Sequence, residues 1–159
     1  MILKNLRLFS QNVWKKKSLT DIILETRKEF DIIFIQKPLL LFICTILSSS
    51  NKKEDRVVRA PNYPNWLTFS KSSTDNNNHT RVISYINTWL FYIHFSLRKD
   101  IFDHKDINCF SFFNNDDIFF MVNAYSYDYQ SALKYLKNTE ATLYNVLVMA
   151  SNFNIRDRN

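Results

Sequence analysis

With 159 residues, 46% of them hydrophobic and 16% aromatic, the chain is long enough to bury its own core and too apolar to be a disordered tail. Its net charge of +6 suits an anionic partner, nucleic acid above all, although clustering of charge matters more than its total. There is no glycine, where average usage would supply about eleven, so turns needing positive φ should fall to Asn and Asp, as in Asn76-Asn77-Asn78 and Asn114-Asn115-Asp116-Asp117, at some cost in strain.

The first element is a loosely alternating strand over residues 6–13. Ser18 offers an N-cap, with Asp21 three residues on, for an amphipathic helix carrying Leu19, Ile22, Ile23 and Phe30. Asp31-Ile32-Ile33-Phe34-Ile35-Gln36 follows as a continuous β-branched run, the pattern of a strand buried on both faces, and Pro38 closes it. Residues 39–47 are apolar but well short of the ~20 needed to span a bilayer, so they read as core. Residues 48–59 turn polar and charged, which predicts an exposed loop. Residues 66–69 and 82–86 are strand candidates around a Ser/Asn/Asp-rich turn region at 70–80. A hairpin is expected from 107–113 and 118–122, turning at Asn114–Asp117. Tyr129, Ala132, Leu133, Leu136 and Leu143 recur at helical spacing behind a possible Asp128 cap, and 146–149 is a last short strand.

Two cysteines, Cys44 and Cys109, sit far apart in apolar stretches and read as buried thiols of a reducing compartment. No signal-peptide core precedes them, so the expected setting is intracellular, nuclear or cytoplasmic, with no membrane contact. His79, His94 and His104 lie on separate segments without metal-ligand spacing. Phe112-Phe113 and Phe119-Phe120 read as core. The order of elements favours a mixed sheet with helices packed on it.

Ligands of α/β sheets gather at the C-terminal ends of strands. Four such ends stand out: Asn12 in Gln11-Asn12-Val13, Gln36-Lys37-Pro38, Tyr125 in Val122-Asn123-Ala124-Tyr125, and Ser151-Asn152-Phe153-Asn154. Taken in order and strand context, they resemble the endonuclease/exonuclease/phosphatase superfamily, specifically the endonuclease domain of non-LTR retrotransposons. The resemblance implies one truncated domain over 1–159: a partial two-layer β-sandwich with flanking helices, class α/β, lacking its C-terminal third and the closing Ser-Asp-His segment.

It also implies roles. Asn12, Tyr125, Asn152 and Asn154 take catalytic positions of a Mg²⁺-dependent phosphodiester hydrolase that nicks DNA. Lys37 stands where the family has the metal-binding Glu, and Asn152 where it has the Asp of Gly-Asp-Phe-Asn. An ammonium and an amide replace two carboxylates, so Mg²⁺, the family's cofactor, is not expected to bind, and the expected state is a degenerate, inactive enzyme. Lys15, Lys16 and Lys17 lie beside Asn12 and would contact the backbone of DNA or RNA. A non-catalytic nucleic-acid-binding module and an unselected reading frame remain as alternatives. So do plainer readings: Asn12 and Asn154 as turn caps, Tyr125 as a half-buried core aromatic, Lys37 and the lysine run as solvated charges.

Overall fold

The computed structural model describes residues 5–44, 56–71, 79–114, 117–126, 131–138 and 146–153. Among these, the elements in chain order are β1 (Leu8–Asn12), α1 (Lys17–Thr26), β2 (Ile32–Gln36), β3 (Leu41–Cys44), β4 (Arg56–Arg59), β5 (Trp66–Phe69) and β6 (Val82–Asn87). A 3₁₀ turn at Thr88–Leu90 leads to β7 (Phe95–Leu97), β8 (Ile107–Asn114), β9 (Asp117–Ser126), α2 (Ser131–Asn138) and β10 (Val146–Phe153).

The apolar run after Asp31 is a strand buried on both faces because its alternate side chains enter two different layers. All five residues of β2 are buried. Ile33 and Ile35 pack with Ile23 and Leu24 of α1, while Ile32 and Phe34 pack with Phe110, Phe112 and Met121 across the sandwich. β1 runs parallel to β2, and β6 and β5 add antiparallel, giving the order β1-β2-β6-β5. The second sheet has the order β10-β9-β8-β7, with β10 parallel to β9 and the others antiparallel. Its outer face carries Ile107, Cys109, Val122 and Ala124, covered by Ala132, Tyr135 and Leu136 of α2. The layers therefore run helix, sheet, sheet, helix: a mixed α/β sandwich with few helices. β3 and β4 form a separate antiparallel pair. Among the described residues no helix is long and apolar enough to cross a membrane.

Between the sheets, two buried amides replace apolar packing. The Gln36 Nε2 group donates to Asn123 Oδ1 at 2.9 Å and to Ser10 Oγ at 3.0 Å, and Asn123 Nδ2 donates to the Ile83 carbonyl at 2.9 Å. Removing one partner of a buried amide pair strands the other, so Asn123→Ala is expected to cost about 1–3 kcal/mol. Urea unfolding measures it; an unchanged midpoint would show that the bridge is dispensable.

Several expectations change. Ser18 is not the cap: α1 begins at Lys17, with Lys16 at the N-cap making no side-chain cap bond, and Asp21 pairs with Lys17 and Tyr63 instead. The helix stops at Thr26, where the Arg27 N–H donates to the Ile23 carbonyl, before Phe30 is reached. Part of the supposed loop at 48–59 pairs as β4 with β3, because Val57 and Val58 carry strand preference among the charges. The 3₁₀ turn and β7 had no clear signal, and β10 is longer than residues 146–149. Phe112 is buried as expected, but Phe113, the next residue on a strand, points outward and is 55% exposed. Cys109 is buried, which pushes its thiol up to about 12. Only the backbone is described for Cys44. Asp128, Tyr129, Leu143 and Asn76–Asn78 lie outside the described residues.

Positive φ falls on Trp14, Lys15 and Lys37, not on Asn or Asp, among the described residues. For a bulky residue this costs roughly 1–2 kcal/mol. The surrounding bonds hold it: the Lys15 N–H donates to the Lys37 carbonyl at 2.7 Å, and the Lys37 N–H to the Arg81 carbonyl at 2.8 Å.

Candidate functional site

Strained backbone clusters where two strands end, and those ends belong to the expected site. Asn12 and Gln36 are register partners in the parallel pair β1–β2, so both strands finish at the same level. Asn152 is the register partner of Tyr125 in the parallel pair β9–β10. The Gln36–Asn123 hydrogen bond and the Lys37 ammonium, 5.5 Å from the Tyr125 ring centre, bring the two pairs together across the sandwich. Asn12, Lys37, Tyr125 and the backbone of Asn152 thus lie at one end of the sandwich, the candidate mouth. Asn154 lies outside the described residues.

Asn12 is buried, and its Oδ1 accepts the Trp14 N–H at 3.1 Å, so it does cap the turn after β1. Its Nδ2 group is buried without a hydrogen-bond partner among the described residues. Lys37 is half-buried, with its Nζ 4.2 Å from the Trp14 ring centre as well as near Tyr125, so it is not a solvated loop charge. Cation–π attraction offsets part of what the ammonium loses in leaving water. Tyr125 is fully buried, not half-buried, and its N–H donates to the Asp106 carbonyl at 2.9 Å. Lys15, Lys16 and Lys17 are exposed beside the mouth. Lys17 is tied to Asp21 at 2.8 Å, and that hydrogen bond holds the Asp21 carboxyl below its ordinary value.

Sequence reading missed Arg81 and Asp106. The Arg81 guanidinium grips Asp106 through two hydrogen bonds, and its Cζ lies 5.7 Å from the same Tyr125 ring centre. Asp106 is fully buried. The available signal was topological: β6 is antiparallel to β2 and β8 to β9, so residues just before β6 and β8 arrive where β2 and β9 end. Lys71 supports the loop before β8, donating to the carbonyls of Phe102 and His104 at 2.7 and 3.1 Å. Burial lowers its pKa.

Among the described residues the histidines belong to no group of three or more side chains that could hold a metal. His104 lies against Tyr135 in a tilted arrangement with ring centres 5.0 Å apart, and its Nδ1 accepts the Asp106 N–H at 3.1 Å, a role open only to the neutral ring. Burial lowers its pKa below the ordinary 6.5. The unfolded chain then binds the proton more readily, so stability should fall as pH drops from about 6.5 toward the lowered folded value. Thermal unfolding between neutral pH and that acid window checks this; a His104→Asn variant should show a flatter slope there, and an identical slope would contradict it.

The donors at the mouth do not fit Mg²⁺. A hard divalent cation takes oxygen ligands and anchors through carboxylates. Among the described residues an ammonium, a guanidinium and an amide lie here, and the Asp106 carboxylate is engaged by Arg81. Among the described residues no group of three or more His, Cys, Asp or Glu is placed to hold a metal.

No family model matches the chain, and no curated protein matches it. A solved structure that does match is the endonuclease domain of TRAS1, a telomere-specific non-LTR retrotransposon, at 10% identity and a TM-score of 0.47. The match covers 84% of this chain and 51% of that one, so this chain, whose structure resembles that endonuclease domain, spans about half its length.

Proposed function

We propose that this chain is a degenerate copy of a Mg²⁺-dependent phosphodiesterase domain, descended from a DNA-nicking enzyme and now without turnover. One observation carries the reading: at the end of β2, where the resemblance expects a metal-binding carboxylate, the chain presents Lys37, lodged between the Trp14 and Tyr125 rings. Asn152 in the next motif supports it, since an amide can neither hold a metal by charge nor serve as an anionic base. Asn12 and Tyr125, together with Asn154 from the sequence motif, would be hydrogen-bonding remnants of the ancestral pocket. Purified chain incubated with Mg²⁺ and supercoiled plasmid should leave the plasmid closed. Efficient nicking that disappears in Asn152→Ala would overturn the proposal.

A second reading, retained binding of nucleic acid without cleavage, is favoured by the basic rim of Lys15, Lys16, Lys37 and Arg81 around one mouth. Four phosphate contacts on duplex DNA would cost on the order of a hundred-fold in affinity between ~50 and ~200 mM salt. Binding that needs no metal and shows that dependence supports this reading, and salt-insensitive binding removes it.

A further inference from the structure

Trp89, Phe91, Tyr92, Phe113 and Ile118 are large apolar side chains exposed at one end of the sandwich, the end away from Lys37. The Asn87 N–H donates to the Asp31 carbonyl at 2.8 Å, so the turn at Thr88–Leu90 starts level with the beginning of β2. Phe95 is the register partner of Phe112, so the chain leaving that turn enters β7 beside Phe113, itself paired with Ile118. The turn is firmly held. Asn87 Oδ1 accepts the Trp89 N–H at 3.4 Å, the Phe91 N–H donates to the Thr88 carbonyl at 3.1 Å, and Trp89 Nε1 donates to the buried Asp31 carboxylate at 2.9 Å. On this rigid base Phe91 is left 82% exposed. One exposed apolar residue is ordinary, but several gathered on a fixed support mark a contact surface.

Three features narrow what it contacts. The Phe91 and Tyr92 rings meet edge to face at 84°, with centres 5.9 Å apart, so they offer no parallel faces to successive bases. The exposed charges around this end cancel among the described residues, Arg7, Arg27 and Lys28 against Glu25, Glu29 and Asp117, so there is no cationic field for a phosphate backbone. The apolar side chains come from two separate loops that reach one end of the sandwich, an arrangement suited to an extended apolar layer. Trp and Tyr rings settle at the headgroup level of a bilayer, and a Phe between them can reach the acyl chains. We infer that this end of the domain is a lipid-contact surface, where the Trp89–Tyr92 turn inserts Phe91 and Tyr92 into the interfacial layer of a phospholipid bilayer without spanning it. Lipid contact departs from the sequence expectation of no membrane contact, which rested on the lack of a spanning run. It needs only the fold and is independent of whether the other end once held a metal.

The full chain is sedimented with phosphatidylcholine vesicles, with and without about a third phosphatidylserine. It should bind both, and raising salt from ~50 to ~200 mM should change binding by less than about twofold, because the exposed charges cancel. Phe91→Ser combined with Tyr92→Ser withdraws two rings from the apolar layer and should cut partitioning at least tenfold, whereas Phe91→Trp should keep it. Both side chains are exposed, so the thermal midpoint of the double variant should match the parent's. If that variant fails to fold, brominated phosphatidylcholine decides: it should quench parent tryptophan fluorescence, and Trp89→Phe should abolish the quenching, since Trp66 is buried and Trp14 lies beside Lys37 at the other end. No sedimentation with either vesicle, undiminished binding in the double serine variant, or quenching that persists in Trp89→Phe overturns the inference. So does binding that requires phosphatidylserine and vanishes with salt, which would place the contact on a basic surface elsewhere. Self-association without lipid binding, lost in Phe91→Ser, would overturn it in favour of a second copy of this chain.

Discussion

On the degenerate-enzyme proposal, replacing Lys37 by Glu and Asn152 by Asp together should create a site for Mg²⁺, tightening affinity at least a hundred-fold. A unit charge about 4 Å from another interacts by roughly 4 kcal/mol at an effective dielectric of 20, and a divalent ion doubles that. Lys37→Glu changes the local charge by two units, removing repulsion and adding attraction. Dehydration of Mg²⁺ consumes much of this, so only part should appear as affinity; a hundred-fold gain needs about 2.7 kcal/mol. Lys37→Gln alone should gain far less, because it removes the repulsion without supplying an oxygen anion. Calorimetric titration with Mg²⁺ separates the variants. Equal affinity in the double variant and the parent would show that these positions do not face a common metal site.

The next largest effect is expected at Phe110. It is fully buried on the inter-sheet face of β8, opposite Met121, with ring centres 6.3 Å from Phe34, 5.7 Å from Phe69 and 6.0 Å from Phe95. Those rings come from β2, β5 and β7, so one side chain joins both sheets. Phe110→Ala should cost about 3–5 kcal/mol through lost transfer energy and the cavity left behind. Domains of this size are stable by only about 5–15 kcal/mol, so the loss is a large share of the total. Urea unfolding followed by circular dichroism should show a cooperative transition whose midpoint drops at unchanged slope. A shallow, non-cooperative loss of signal in the parent, indifferent to Phe110→Ala, would favour the alternative of a reading frame without a stable fold.

What was legible in the sequence was periodicity and order. The β2 run is apolar at every position because both faces are covered, and the strands around Trp66–Phe69, Val82–Asn87 and the 107–126 hairpin carry β-branched and aromatic patterns bounded by polar turns. The strand-end positions Asn12, Lys37 and Tyr125 were legible only through motif order. That they meet depends on parallel pairing within each sheet and on the Gln36–Asn123 bridge between sheets, which no local pattern encodes. Arg81 and Asp106 were hidden for the same reason: each is an ordinary charge beside an apolar strand until antiparallel neighbours deliver both to Tyr125. Helix α1 misled because Ser18 has the right chemistry for a cap, while the chain turns into the helix two residues earlier, out of the strained Trp14-Lys15 step. Without glycine, side-chain preference alone favours Asn and Asp for φ > 0. Hydrogen bonding between the ends of β1 and β2 instead imposes it on Trp14, Lys15 and Lys37.

Titration of the unaltered chain with Mg²⁺ in a calorimeter, after EDTA treatment and buffer exchange, addresses most directly the proposal that Lys37 stands where a metal ligand would be. An ammonium and a guanidinium sharing the Tyr125 ring predict no saturable heat at millimolar Mg²⁺. A single stoichiometric site of micromolar affinity, lost in Asn152→Ala, would contradict it.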